Sequence, residues 1–328
     1  CPDLHTIKTV HEAGRSMLQT ACASLGYHIL GYGTQPISGI SAELMTPKPR
    51  YHKLVELLGE MWYTFEPTAS DQAHIDVSKE EIAQVVNVTS LLTPVVVALM
   101  ANSPVVSGKL TPWLSSREGM MGGIDVESGR HGMPRTAYHD LRDWFEQICR
   151  LDYLIKIDKT TKTPSAPTLH GSTAKQPFLK HLEAGEATYD DFETHEHYIW
   201  HSVRPRSLYG TVELRAACQQ PLGEHMAACA LSLGLVEAAA ALEAWLLEHR
   251  APSGGAGLRG WFATLSAAHP LVLKHGLRYA EAVPAAALPA ALRGWDFPAF
   301  AEAVLGFADH ALQARGLGEH RYLGAAWR

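Results

Sequence analysis

Apolar residues recur at three- and four-residue intervals between positions 4 and 25 (Ile7, Val10, Met17, Leu18, Ala21), the spacing of one face of a helix. Residues 27–33 then read as a short strand ending in a Gly-rich turn. A second helical pattern covers 50–63. At 72–77 the period changes to two, which puts Gln72, His74 and Asp76 on one face of a strand and Ala73, Ile75 and Val77 on the other. Ser78, with Glu81 three positions on, has the form of a capping box. It predicts a helix running to about residue 100, where Asn102, Ser103 and Pro104 stop it. Another helix is predicted over 137–154, and 158–176, rich in Thr, Ser, Pro and Lys, reads as a mobile loop, either a lid or a plain connection. Helices are expected at 178–184 and 190–200. A strand at 209–218 carries Thr211, Glu213 and Arg215 on one face and Val212, Leu214 and Ala216 on the other.

Beyond Pro221 the chain turns to Ala and Leu in long helical patterns at 222–249 and 297–315, separated by the Gly-rich 250–260. This portion, 222–328, is expected to be helical scaffold within a single domain spanning 1–328. Long helical excursions join the strands, so the fold class is α+β rather than a regular βαβ alternation, and neither a GxGxxG nor a GxxxxGK[ST] phosphate loop occurs. The 328 residues carry a net charge of −6, which leaves no surplus of Lys and Arg for a nucleic-acid partner. Five cysteines without a CxxC pair suit neither a disulfide framework nor a zinc ribbon, and point to a reducing cytoplasm. The most apolar stretch, 86–101, is interrupted by Asn87, Thr89, Ser90 and Thr93 and falls short of a membrane span. The chain starts on Cys1 rather than Met and enters directly at a helix, so an N-terminal piece is expected to be missing.

Two strands thus each present a polar face of metal- or phosphate-binding residue types, Gln72/His74/Asp76 and Thr211/Glu213/Arg215, with Arg204 and Arg206 close by in sequence. Glu can hold a hard cation while Arg forks onto phosphate oxygens. The same pattern also describes a cross-strand ion pair on a solvated sheet face.

The run GTVELRAACQQP (210–221), preceded by HSVRPRS (201–207), resembles the late active-site strand of carboxylate–amine ligases of the glutamate-cysteine ligase family. LGYGTQP (30–36), TPKPRY (46–51), ALMANSPVVSGKLTPWLSSR (98–117), FLKHLEAGEATYDDFETHEHYIWHSVRPR (178–206) and ARGLGEHRYL (314–323) are similar, in order, to blocks of the plant and proteobacterial members. The resemblance implies a curved, mainly antiparallel sheet forming a cup, with helices on its outer face, as in glutamine synthetase-like catalytic domains. It implies an ATP- and Mg2+-dependent enzyme that phosphorylates a carboxylate, most simply that of glutamate, and lets an amine, most simply that of cysteine, attack the acyl phosphate, as in glutathione biosynthesis. Its partners would be small molecules only.

By the same resemblance Glu213 is the late metal-binding glutamate, with His74 a second metal contact. Arg204 and Arg215 are the catalytic arginines at the phosphates, Arg206 and Gln72 further nucleotide contacts, and Arg117 the arginine for the acid's free carboxylate. Thr34, Arg50 and Tyr51 are expected at the substrate. The bland alternatives are a surface salt bridge for the arginines of 204–215, a satisfied strand histidine for His74 and a helix-terminal arginine for Arg117. Family members open with a glutamate-rich strand that would precede Cys1, so the remaining metal ligands are expected on the missing N-terminal piece. Other readings are a ligase of the same family with a different acid or amine, a non-catalytic nucleotide-binding homologue, and a guanidino kinase.

Overall fold

The computed structural model describes residues 2–122, 129–158 and 160–328; Cys1, and Lys159 of the 158–176 stretch, lie outside them. Three short strands, Ala73–Asp76, Thr211–Leu214 and Val203–Arg206, form an antiparallel sheet with the 211–214 strand in the middle. Its register follows the two-residue alternation. One face stacks the rows Ala73, Leu214, Val203 and Ile75, Val212, Pro205; the other stacks His74, Glu213, Arg204 and Asp76, Thr211, Arg206. Residues paired directly across antiparallel strands point to the same side, so the sheet has an apolar back and a polar front. Helices Ile82–Leu91 and Met226–Glu237 pack against it and carry the main core, which continues into Phe297–Ala314. The chain is therefore mixed helix and sheet, as the α+β expectation requires.

The helix expected to reach residue 100 breaks into Ile82–Leu91 and Thr93–Met100, bent by 54°. Pro94 sits in the first turn of the second piece, where its missing N–H costs no hydrogen bond. The Ser78–Glu81 capping box forms, with Ser78 N donating to Glu81 Oε2 and Glu81 N to Ser78 Oγ, each at 3.3 Å. A second bend, of 66°, divides Met226–Glu237 from Ala239–Glu248. Among the described residues no single helix is long and apolar enough to cross a membrane.

Three expectations need correction. Residues 27–33 form no strand: the backbone lies against 218–222 instead, so closely that a Cβ on Gly33 would stand 2.7 Å from Cys218 and one on Gly31 2.8 Å from the Pro221 backbone. The stretch 158–176 is not uniform loop, since Pro164–Ser165 pairs with Lys156–Ile157 and Leu169 bridges Ser172. Between the two C-terminal helices stands a third, Gly257–His275, which its glycines and Pro270 concealed.

A small second cluster, Met45, Leu54, Trp62, Leu154, Ile155, Tyr198 and Trp200, lies apart from the main core. The first helix, Leu4–Ser24, is anchored at its start, where Leu4 is buried and its N–H donates to Glu319. Beyond that, Val10, Met17 and Leu18 are exposed.

Candidate active site on the polar sheet face

Glu213 occupies the middle of the polar front and is 3% exposed. Three guanidinium groups converge on it. Arg204 Nε donates to Oε2 at 2.8 Å, Arg206 NH1 approaches the same oxygen at 3.5 Å, and Arg215 NH1 donates to Oε1 at 2.5 Å. The cross-strand row explains Arg204, which is paired opposite Glu213; Arg215, two residues from Glu213, follows directly on the end of that strand. Burial opposes ionisation of Glu213, but Arg215, Arg204 and Arg206 together outweigh it and hold the carboxyl down to about 2. Three cations around one anion leave an excess of positive charge, which is what a polyphosphate needs.

Gln72 Oε1 accepts from Arg215 NH1 at 3.2 Å, which ties the residue before the Ala73–Asp76 strand to the residue after the Thr211–Leu214 strand. His74 stands with Nε2 3.7 Å from Glu213 Oε1 and with Nδ1 3.1 Å from Thr211 Oγ1. Burial lowers its pKa despite the pull of Glu213. Arg117, 3% exposed in the helix Ser116–Met121, pairs with its neighbour Glu118, and both act electrostatically on Arg215. Burial raises the Glu118 carboxyl, with Arg117 and Arg215 opposing. The Nε atoms of Arg117 and Arg206 are buried and donate to no described group. Each is a desolvated donor with an open valence toward an anion.

Thr34 is not gathered here. It is buried, and its hydroxyl donates to the Val105 carbonyl at 2.9 Å, a structural tie between its turn and the hairpin of 105–110. Arg50 and Tyr51 lie on the helix Pro49–Leu58 and line a cavity of about 340 Å3, together with Arg204 and Arg215. The sequence reading missed the other walls of this cavity, Trp62, Phe65, His197, Tyr198 and Trp200. Their signal was present in WYTFEP (62–67) and HYIW (197–200), but aromatic residues in such runs read as core.

The donor set does not by itself make a magnesium centre. Both Glu213 oxygens are occupied by guanidinium groups, and among the described residues no three of His, Cys, Asp and Glu are grouped to hold a metal ion. Magnesium takes octahedral oxygen coordination, which the pair Glu213 and His74 cannot supply.

The sheet front thus arrays three arginines around one buried carboxylate in a fold of mixed helix and sheet. The chain belongs to glutamate-cysteine ligase family 2, whose family model matches residues 1–253. It is 24% identical over 209 residues to glutamate–cysteine ligase EgtA of Mycobacterium tuberculosis, an alignment covering 58% of this chain and 46% of that protein. It is 27% identical over 205 residues to a Rubrobacter xylanophilus protein provisionally named glutamate–cysteine ligase 2-3, covering 62% and 44% respectively. A Nocardioides sp. protein provisionally named glutamate–cysteine ligase 2-1 is 34% identical over 106 residues, covering 32% and 27%. In these alignments the chain spans less than half the length of each relative.

Proposed function

We propose that this chain carries the nucleotide- and acid-binding face of an ATP-dependent carboxylate–amine ligase, joining glutamate through its side-chain carboxylate to an amine, in the first instance that of cysteine. The observation that carries the reading is the cluster of Arg204, Arg206 and Arg215 around buried Glu213, with unpartnered donors on Arg206 and Arg117. In this reading the three-stranded sheet is the floor of a glutamine synthetase-like cup and residues 222–328 are its scaffold.

A carboxylate and a triphosphate repel, so the work of the protein is to neutralise and to align. Arg204, Arg206 and Arg215 face the phosphates, with Gln72 fixing the Arg215 fork. Arg117 takes the free α-carboxylate of the acid. The side-chain carboxylate oxygen attacks the γ-phosphorus and ADP leaves. The amine, as its free base, then attacks the acyl carbon and expels inorganic phosphate, and the proton that the nitrogen sheds leaves with the phosphate, giving an amide. Magnesium would come with the nucleotide and neutralise further phosphate charge. A reducing cytoplasm, expected from the cysteine pattern of the sequence, is part of this proposal.

The test is phosphate release from ATP in the presence of glutamate and a panel of amino acids and amines, with Arg206→Gln beside the native protein. Loss of one charge-assisted contact should raise the KM for ATP by roughly ten- to a hundredfold. A native protein that binds ATP yet releases no phosphate with any pair would refute the ligase reading.

A further inference from the structure

Arg206 is the least secured of the three arginines on the sheet front. Arg204 donates through Nε to Glu213 at 2.8 Å and through NH1 to the carbonyls of Glu196 at 3.2 Å, His197 at 3.0 Å and Ile199. Arg215 NH1 donates to Glu213 at 2.5 Å and to Gln72 at 3.2 Å. Arg206 makes one long contact, NH1 to Glu213 at 3.5 Å, and lies over the Tyr209 ring at 5.8 Å, while its buried Nε has no partner among the described residues. A guanidinium held so loosely at its own end takes its position from its backbone. We propose that Glu196 is a positioning residue for Arg206: by gripping Ser207, the next residue of the chain, it fixes the turn of 207–210 and so aims the open Nε of Arg206 at the bound anion. This rests on the reading of the sheet front as the phosphate side of a ligase.

The grip falls on a single residue. Ser207 N donates to Glu196 Oε1 at 3.0 Å and to Oε2 at 3.3 Å, and Ser207 Oγ donates to Oε2 at 2.9 Å. Within the hairpin, Tyr209 N and Gly210 N both donate to the Arg206 carbonyl, at 3.0 and 2.9 Å, so the turn closes on Arg206 itself. Packing does not hold its tip, since Ser207, Leu208 and Tyr209 are exposed. Glu196 reaches it from the last turn of the helix Tyr189–His197. That helix end is in turn tied to the sheet front by Arg204, through the carbonyls of 196, 197 and 199. The anchorage thus runs from Glu213 through Arg204 to the helix end, and from there through Glu196 and Ser207 to Arg206.

Glu196 is 1% exposed, and burial raises its carboxyl, opposed first by the bonds from Ser207 and then by Arg206 and Arg204. A carboxylate is costly to keep in such a place, and the return on it is rigidity, because a satisfied buried polar network stiffens what it connects. What it stiffens here is a turn in solvent. Once released, the Ser207 N–H and hydroxyl find water instead, so the fold loses little. The fixed course of the backbone at Arg206 is what goes, and with it the aim of a guanidinium that has few contacts of its own.

The test is a double-mutant cycle read by calorimetric titration of the full chain with ATP and magnesium. Glu196→Ala should weaken ATP binding about tenfold on its own but less than about twofold beside Arg206→Gln, because a residue that acts through Arg206 then has nothing left to aim. Glu196→Gln, whose amide oxygen still accepts the Ser207 N–H, should recover most of the affinity. Ser207→Ala, which loses the hydroxyl bond alone, should weaken ATP about two- to threefold. In turnover, Glu196→Ala should raise the KM for ATP and leave that for glutamate within about twofold. Equal weakening in both backgrounds, equal losses in Glu196→Ala and Glu196→Gln, or a lowered thermal midpoint with unchanged ATP affinity would overturn the assignment. Should Glu196→Ala fail to fold, Ser207→Ala beside Arg206→Gln completes the same cycle. Native protein that binds ATP but releases no phosphate with any acid and amine refutes the ligase reading alone, and the cycle still decides Glu196; native protein that binds no ATP refutes both.

Discussion

Removing the charge of Glu213 leaves three guanidinium groups facing one another around a position that is only 3% exposed. The alternating pattern placed this residue on a polar face, and on that basis a Glu213→Gln exchange would touch only a solvated charge and spare the fold. Burial reverses that expectation. Deleting one partner of a buried ion cluster costs about 3–5 kcal/mol, so Glu213→Gln should lower the free energy of unfolding by that amount in a urea titration. A change under 1 kcal/mol would mean that water screens the cluster. At this scale the sequence was most informative for side chains in strands, because a period of two fixes the face: His74, Glu213 and Arg204 do meet in one row. It was least informative for Trp62, Tyr198 and Trp200, whose cavity joins segments more than a hundred residues apart.

Elements were legible where periodicity and breakers agreed, as at Ala73–Asp76 and Phe297–Ala314. They were misread where a glycine served close packing rather than a turn. Gly33 holds its place because Cys218 Cβ and Sγ occupy the space a side chain would need, and the Gly33 N–H donates to the Asn102 carbonyl at 2.8 Å. Gly33→Ala should therefore destabilise by about 1–3 kcal/mol, the usual cost of overpacking, with the thermal midpoint falling accordingly. An unchanged midpoint would show that the two segments part without cost. Gly257 and Gly260 are a second case. Gly260 packs against the Gly255 backbone, where a Cβ would come within 2.2 Å of its carbonyl oxygen, so a pair that looks like loop in fact lets a helix begin.

For the molecule as a whole, acid is the informative perturbation. His195 and His201 are buried neutral, pushed down to about 3 and about 4 by desolvation, with Arg130 further lowering the first and the Gly129 carbonyl opposing for the second. Their unfolded forms bind protons near pH 6.5, so between 6.5 and about 4 the unfolded state holds the more protons and stability falls as pH falls. Each imidazole contributes about 1.4 kcal/mol per pH unit in that window. Asp71, raised to about 6 mainly by burial, has the opposite sign and offsets part of one of them. Urea midpoints should decline steadily from pH 6.5 to 4.5; a flat profile would show that the imidazoles reach solvent. The family itself was legible from short motifs in order, whereas the division of hydrophobic residues into two clusters was not, since composition says nothing about which apolar groups share a neighbourhood. That division has an evolutionary consequence. The aromatic wall belongs to the minor cluster, so loosening it is a local event that leaves the large core standing. Mutation can therefore reshape the wall without endangering the arginine-bearing strands, and divergence among relatives should collect there first.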